Sequence, residues 1–263
     1  MTVLLPHVDL MALTACQLSC RHCTNFIGVL PQEVWPVEDV LADAQRAARV
    51  MHAETVCILG GEPLSHPHLL DIMRGVRASG LGDRIQILTN GMRLHRMKPE
   101  FWAELQWLKI SIYPGKTQPE NVELAKRKAV EYGFALDFYD VADDPFRAVL
   151  TDRPHPPGGA QATFDGCWYK TYTRKIERGY FYRCCTSPQI SQTVLGLAPD
   201  ADGIALEGLT EDALTEFLGR KTHMQSCTRC YGNLGPRADG WDEERDRSKW
   251  IAASTVALPM HEG

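Results

Sequence analysis

The sequence predicts an α/β protein: a partial (β/α)6, TIM-like barrel over residues 1–150, followed by a smaller C-terminal unit over residues 151–263. Three observations predict it. Apolar runs of strand length alternate with segments of helical period through the first 150 residues. The connections between them are short, as βαβ units and a parallel sheet require. The stretch 152–159, DRPHPPGG, is dense in Pro and Gly, breaks the alternation and reads as a linker.

Each element has its own signal. Residues 8–14 read as a strand that delivers Cys16. Over 37–51, Val37, Val40, Leu41, Ala44, Ala47, Ala48 and Met51 keep helical spacing. Residues 55–59 form a short apolar strand ending in Gly60-Gly61, with Cys57 as a core residue. A helix over 68–79 stops at Gly80. A strand over 84–89 ends at Asn90-Gly91, and 100–107 reads as helix. Residues 108–112 form a strand broken by Pro114-Gly115, and 119–132 a helix stopped by Gly133. Residues 135–141 supply the next strand. The strand ends then carry Cys16, Gly60, Thr89-Asn90 and Tyr113-Pro114 on one edge, the edge that holds chemistry in barrel-like α/β folds. Beyond the linker, 171–185 reads as a hairpin turning near Gly179, and 211–218 as a short helix. From Pro236 on the chain is polar and patternless.

The 33 acidic and 28 basic residues leave a net charge of −5, which argues against a nucleic-acid partner. No apolar run is long enough to span a bilayer, and the opening MTVLLPHVDL has no basic n-region, so the expected compartment is the cytoplasm. Nine cysteines are many for such a chain. A reducing compartment disfavours disulfides, and clustered cysteines point to metal or catalysis.

Cys16, Cys20 and Cys23 form CxxxCxxC just after a strand. Three thiolates can hold three irons of a four-iron cluster and leave the fourth open. Zinc would instead favour CxxC pairs. The second set is Cys167, Cys184, Cys185, Cys227 and Cys230, with a CxxC at 227–230.

Over residues 8–141 the chain resembles the radical S-adenosylmethionine (SAM) superfamily. The resemblance rests on CQLSCRHC at 16–23 with His22 before the last cysteine, GGEP at 60–63, TNG at 89–91 and KISI at 109–112. It implies a [4Fe-4S] cluster on Cys16, Cys20 and Cys23 whose open iron binds SAM. An electron from the cluster would release a 5′-deoxyadenosyl radical. It also implies SAM contacts by Gly60, Gly61, Glu62, Pro63, Thr89, Asn90 and Ser111. Glycines would let the backbone approach the ligand, and Glu62 would pair with the SAM ammonium. For Thr89, Asn90 and Ser111 strand-end capping is the competing role. Cys167, then Gly179, then Cys184, with the later CxxC, resembles the Twitch and SPASM extensions of these enzymes. No cysteine follows Cys230, so a single auxiliary [4Fe-4S] cluster on Cys167, Cys184, Cys227 and Cys230 is implied. A structural zinc site on the same four is the alternative. The layout is similar to that of the aminocyclitol dehydrogenase of butirosin biosynthesis.

Cys185 rivals Cys184 as ligand; if spare, it packs or donates a hydrogen atom to a substrate radical as a catalytic residue. Tyr169, Tyr172, Arg174, Lys175, Arg178 and Arg183 surround this set, as substrate contacts or as a solvated hairpin face. Only fifteen residues precede Cys16, leaving no room for a leader-recognition domain, which argues against a peptide substrate. The expected activity is hydrogen abstraction from a sugar, nucleoside or aminocyclitol in natural-product biosynthesis, giving dehydrogenation or epimerisation. A flavodoxin or ferredoxin would supply electrons. The alternatives are a peptide maturase forming thioether or carbon–carbon crosslinks, and a non-enzymatic iron–sulfur or zinc redox module.

Overall fold

The computed structural model describes residues 2–258. Five parallel strands alternate with four helices: β1 (Val3–Met11), α1 (Val37–Ala48), β2 (Met51–Leu59), α2 (Leu69–Ser79), β3 (Gly82–Thr89), α3 (Pro99–Glu104), β4 (Trp107–Ile112), α4 (Pro119–Tyr132) and β5 (Ala135–Asp140). Two short strands, β6 (Leu150–Thr151) and β10 (Thr255–Val256), pair with each other in a separate ribbon. The second half adds α5 (Gly159–Gly166), α6 (Tyr169–Tyr172), β7 (Lys175–Glu177), β8 (Tyr180–Tyr182), α7 (Ser187–Gln189), β9 (Gly203–Ala205), α8 (Glu211–Gly219) and α9 (Arg247–Ala253).

The main sheet runs β5-β4-β3-β2-β1-β7-β8-β9. This corrects the strand count of the barrel. Residues 1–150 supply five parallel strands, not six. The sixth, β7, comes from the second half and lies parallel to β1, on the side of β1 away from β2. After β5 the chain passes through β6, α5 and α6 before β7 enters the sheet, so the sixth parallel strand lies beyond residue 150. β8 and β9 then continue antiparallel. The β7–β8 turn places Arg178 at φ 48° and Gly179 at φ 80°, the left-handed pair a tight two-residue hairpin needs.

The helices cover the sheet through apolar faces of helical period. α1 buries Val40, Ala44 and Ala47; α2 buries Leu69, Ile72, Met73 and Val76. A Cβ on Gly75 would lie 2.5 Å from Leu41, so a glycine there lets α1 and α2 approach. Trp102 of α3 stacks on Phe134 at 6.1 Å and is almost wholly buried. Its truncation to Ala would cost about 3–5 kcal/mol. Trp107, read from the sequence as the end of a helix, instead opens β4; Leu105 at the α3 C-cap is already extended. The patternless C-terminus contains α9, whose Trp250 is fully buried against Phe26.

Candidate active site

Two cysteine-lined cavities lie on either side of the open barrel interior. The first, of about 150 Å3, is lined by Cys16, Cys20 and Cys23 together with Gly60, Gly61, Thr89, Asn90, Ser111 and Tyr113. Its walls are the loop after β1 and the C-terminal ends of β2, β3 and β4. The loop is fixed to β2 by backbone: Gly61 N donates to Leu13 O and Glu62 N to Ala15 O, both at 2.9 Å. A Cβ on Gly61 would lie 2.2 Å from Ala15 O. The approach this glycine permits is thus to the cysteine loop, a reason the sequence reading had assigned to a ligand.

Glu62 is completely buried behind this wall. Its Oε1 accepts from Leu64 N at 2.9 Å and Thr89 Oγ1 at 2.6 Å, and its Oε2 from Asn90 N at 2.8 Å. Burial raises its pKa, and these hydrogen bonds oppose the shift. One carboxylate thereby ties the end of β2 to the end of β3, with one acceptor position left on Oε2. Pro63 is buried beside it in the short turn over 63–65. Ser111 and Asn90 reach the cavity wall; Thr117 Oγ1 donates to Asn90 O at 2.9 Å. His22 does not face the cavity. Its ring meets Ser254 O at 3.2 Å, and burial lowers its pKa.

Burial raises the thiol pKa of all three loop cysteines, Cys20 to about 12. Three soft donors on one small cavity fit three irons of a [4Fe-4S] cluster.

The second cavity is smaller, about 20 Å3, and is lined by Cys167, Cys184, Cys227 and Cys230 with Phe164 and Met224. All four cysteines are buried. Cys167 ends α5; Cys184 follows β8; Cys227 and Cys230 flank a single helical turn. Gly232, at φ 58°, presses its bare Cα toward Cys167, whose sulfur a Cβ would meet at 2.5 Å. Gly232 N donates to Cys230 Sγ at 3.1 Å, and Thr186 Oγ1 lies 3.3 Å from Cys184 Sγ. Four thiols with polar hydrogens aimed at their sulfurs suit a four-thiolate metal centre.

Cys185 lines a different space. Cys185 faces the barrel interior, a cavity of about 360 Å3, whereas Cys184 lines the four-thiol space. The neighbouring Cys184 and Cys185 thiols interact, which lowers the Cys184 pKa and raises that of Cys185. The barrel cavity is walled by alternate residues of five strands: His7 and Asp9 of β1, Cys57 of β2, Gln86 of β3, Lys109 and Ser111 of β4, and Tyr139 of β5. His7 Nε2 and Asp9 Oδ1 are 2.8 Å apart. Cys57, read from the sequence as core, packs in the core and also faces this cavity beside Asp9. Sequence reasoning missed His7, Asp9, Gln86, Lys109 and Tyr139. The available signal was their polarity inside parallel strands, which are otherwise near-continuous apolar runs.

The hairpin residues separate into distinct roles. Tyr169 lines the barrel cavity, and Tyr172 is exposed. Lys175 is buried, its Nζ donating to Asn25 Oδ1 at 2.7 Å and Gln189 Oε1 at 3.1 Å. Arg178 pairs with Glu33 across a surface hollow of about 540 Å3 that no cysteine lines. Arg183 donates to Arg220 O and covers the Phe164 ring, while Arg174 is half-buried near Arg183. No described helix is long and apolar enough to cross a membrane.

Comparison with known proteins bears on the barrel and its loop. The fold is similar to BtrN solved in complex with AdoMet and 2-DOIA: TM-score 0.54, 10% identity, 87% of this chain and 86% of that one. It is also similar to anSMEcpe with bound AdoMet: TM-score 0.52, 14% identity, 85% and 81%. At such identities the likeness is one of fold. The family description "Radical SAM superfamily" matches residues 12–130, the stretch from the end of β1 into α4 that holds CxxxCxxC, GGEP and TNG. Over those residues, the chain is similar to the radical SAM superfamily.

Proposed function

We propose that this chain is a radical SAM enzyme that abstracts a hydrogen atom from a small hydroxylated substrate, a sugar, nucleoside or aminocyclitol, and delivers a dehydrogenated or epimerised product. The observation that carries this reading is the continuity of the three-thiol cavity with the polar barrel interior. Thr24, Asn25, Leu59, Leu88, Ser111 and Phe146 line both. A bound [4Fe-4S] cluster and SAM supply the hydrogen-abstracting power that side chains lack.

The chain's own residues do the rest. Cys16, Cys20 and Cys23 hold three irons. Gly60, Gly61, Thr89, Asn90 and Ser111 face the SAM pocket, with Glu62 and Pro63 holding its wall and the Glu62 Oε2 free to take one more donor. His7–Asp9, Gln86, Lys109 and Tyr139 offer donors and acceptors for hydroxyl groups on the barrel wall. Cys167, Cys184, Cys227 and Cys230, within the unit 151–263, hold a second [4Fe-4S] cluster of Twitch type with no open position. Loss of an electron toward that side and of the hydroxyl proton to a group on the barrel wall would give a ketone. Hydrogen-atom return from Cys185, which faces the barrel, would give an epimer and a thiyl radical, which an electron from the external donor and a proton would restore to the thiol. An external donor such as flavodoxin or ferredoxin supplies the reducing electron.

A peptide side chain reaching into the barrel is the second reading. It is favoured by an exposed aromatic rim: Trp168 lines the cavity yet is 50% exposed, and Tyr172 beside it is 53% exposed. The test is anaerobic turnover of reconstituted, reduced protein with SAM against panels of aminocyclitols, sugars, nucleosides and peptides. Release of 5′-deoxyadenosine stimulated by a hydroxylated small molecule that loses two hydrogens or inverts a centre supports the first reading. Stimulation by peptides alone overturns it in favour of the second.

A further inference from the structure

A third group of metal-ligating side chains stands on the barrel wall, apart from both four-iron sites. Asp9 and Cys57 are register partners on the adjacent parallel strands β1 and β2, so their side chains leave the sheet on one face and at one level. His7, two residues before Asp9, shares that face. All three line the barrel cavity of about 360 Å3. A ring nitrogen of His7, a carboxylate oxygen of Asp9 and the Cys57 sulfur lie within 4.8 Å of one another.

The protein alone leaves this group unfinished. Asp9 is only 6% exposed, and among the described residues its carboxylate meets His7 and no other side chain. Lys175, its register partner on β7, directs its ammonium to Asn25 and Gln189 instead. A carboxylate has room for further donors, and one taken out of water is paired or bound to a metal. Cys57 is buried beside it. Imidazole, carboxylate and thiolate are each zinc ligands, and three protein ligands leave a fourth tetrahedral position. A divalent ion against one carboxylate and one thiolate is neutral in sum, so the Lys109 ammonium on the same cavity wall opposes no net charge.

We infer that His7, Asp9 and Cys57 bind one divalent ion of the zinc class inside the barrel, with its fourth position turned to the cavity for water or a hydroxyl oxygen. Cys57 binds as thiolate and its proton passes to solvent. The site is built by β1 and β2 alone, so it stands whether or not the cavity serves radical chemistry. Zinc outcompetes ferrous iron at such donors, so the ion survives loading of the chain with iron.

The test uses the full chain with its clusters reconstituted anaerobically, given one molar equivalent of Zn2+ and then desalted. Wild type should keep about one zinc per chain, with iron and sulfide unchanged. His7→Gln and Cys57→Ala should each keep none at the same iron content. The His7 side chain is 25% exposed, so its replacement leaves the core intact. Asp9→Asn removes the charge and keeps a hydrogen-bonding group beside His7; it should lose the zinc as well. X-ray absorption at the zinc edge of wild type should show one sulfur among nitrogen and oxygen neighbours, a measurement that does not depend on any variant folding. Wild type that keeps no zinc overturns the proposal, as does equal retention by wild type and His7→Gln. A shell of four sulfurs also overturns it, by placing the ion on Cys167, Cys184, Cys227 and Cys230.

Discussion

The two cysteine sets differ in the way that matters for chemistry. The first has three thiols on a loop, beside a cavity of about 150 Å3 that continues into the barrel. The second has four thiols, all buried, around a space of about 20 Å3 with apolar walls. Three donors leave a metal-bound position for a small molecule; four donors close it. The first set is built by one short stretch of sequence and fixed by glycine-permitted backbone contacts. The second is gathered from three separate segments by the fold of the C-terminal half. One arrangement suits binding and reaction, the other electron transfer or structure.

The largest expected effect separates the sets outright. Wild type, reconstituted anaerobically, should hold about eight irons, as two four-iron clusters. The triple change Cys16, Cys20 and Cys23→Ala should hold about four and release no 5′-deoxyadenosine. Changing Cys184 and Cys227 to Ala should also leave about four irons while retaining reductive SAM cleavage. One zinc per chain in place of the second cluster would break the comparison on the closed side only.

Two glycines sharpen it. Gly61→Ala would put a methyl group 2.2 Å from Ala15 O, against backbone that cannot swing away. Gly232→Ala would put one 2.5 Å from Cys167 Sγ at a left-handed position. Each should destabilise by about 1–3 kcal/mol in thermal unfolding. The first should lower iron at the SAM-responsive cluster, and the second at the other. Equal loss at both clusters from either variant would show that the sites are not independent.

Much of the barrel half was legible because its signals are local. Helical spacing over Val40, Ala44 and Ala47 and the stops at Gly80 and Gly133 lie within single elements. β1 was read too late in the chain because polar His7 looks like a surface residue until the sheet shows that it faces the cavity. The five runs readable before residue 150 are the five strands observed. The sixth is β7, three residues long and set beside β1 by a pairing of Asp9 with Lys175 that no local pattern announces. The C-terminal segment was illegible for a related reason. Its contacts, Arg21 with Asp242 and His22 with Ser254, join residues more than 200 positions apart.

Glu62 gives a smaller effect with a clear division. Its two oxygens already accept three hydrogen bonds inside the protein. Glu62→Ala leaves the Thr89 hydroxyl and the Asn90 and Leu64 amides buried and unpaired, at about 1–3 kcal/mol for each group that water cannot reach. If Oε2 also takes the SAM ammonium, SAM affinity should fall about tenfold to a hundredfold, as for a charge-assisted bond. Calorimetry on reconstituted protein reads the affinity and thermal unfolding the stability. A stability loss at unchanged affinity would assign Glu62 to the strand ends alone.

The smallest effect on the clusters should come from Cys185→Ala, because Cys185 is the one cysteine of the second half that does not line the four-thiol space. Iron content should stay near wild type. The effect on chemistry depends on what the barrel holds. Cys185 faces the same cavity as Asp9, Ser111 and Tyr169, so its thiol hydrogen is placed to meet a substrate radical held there. An enzyme that uses it so would place solvent deuterium in its product in D2O, and Cys185→Ala would stop forming the epimer while still consuming SAM. An enzyme that passes the electron to the four-thiol side would give a ketone without solvent deuterium, and Cys185→Ala would turn over normally. If the variant instead loses iron from the second site, Cys185 is a ligand, and the opposed directions of Cys184 and Cys185 do not survive cluster loading.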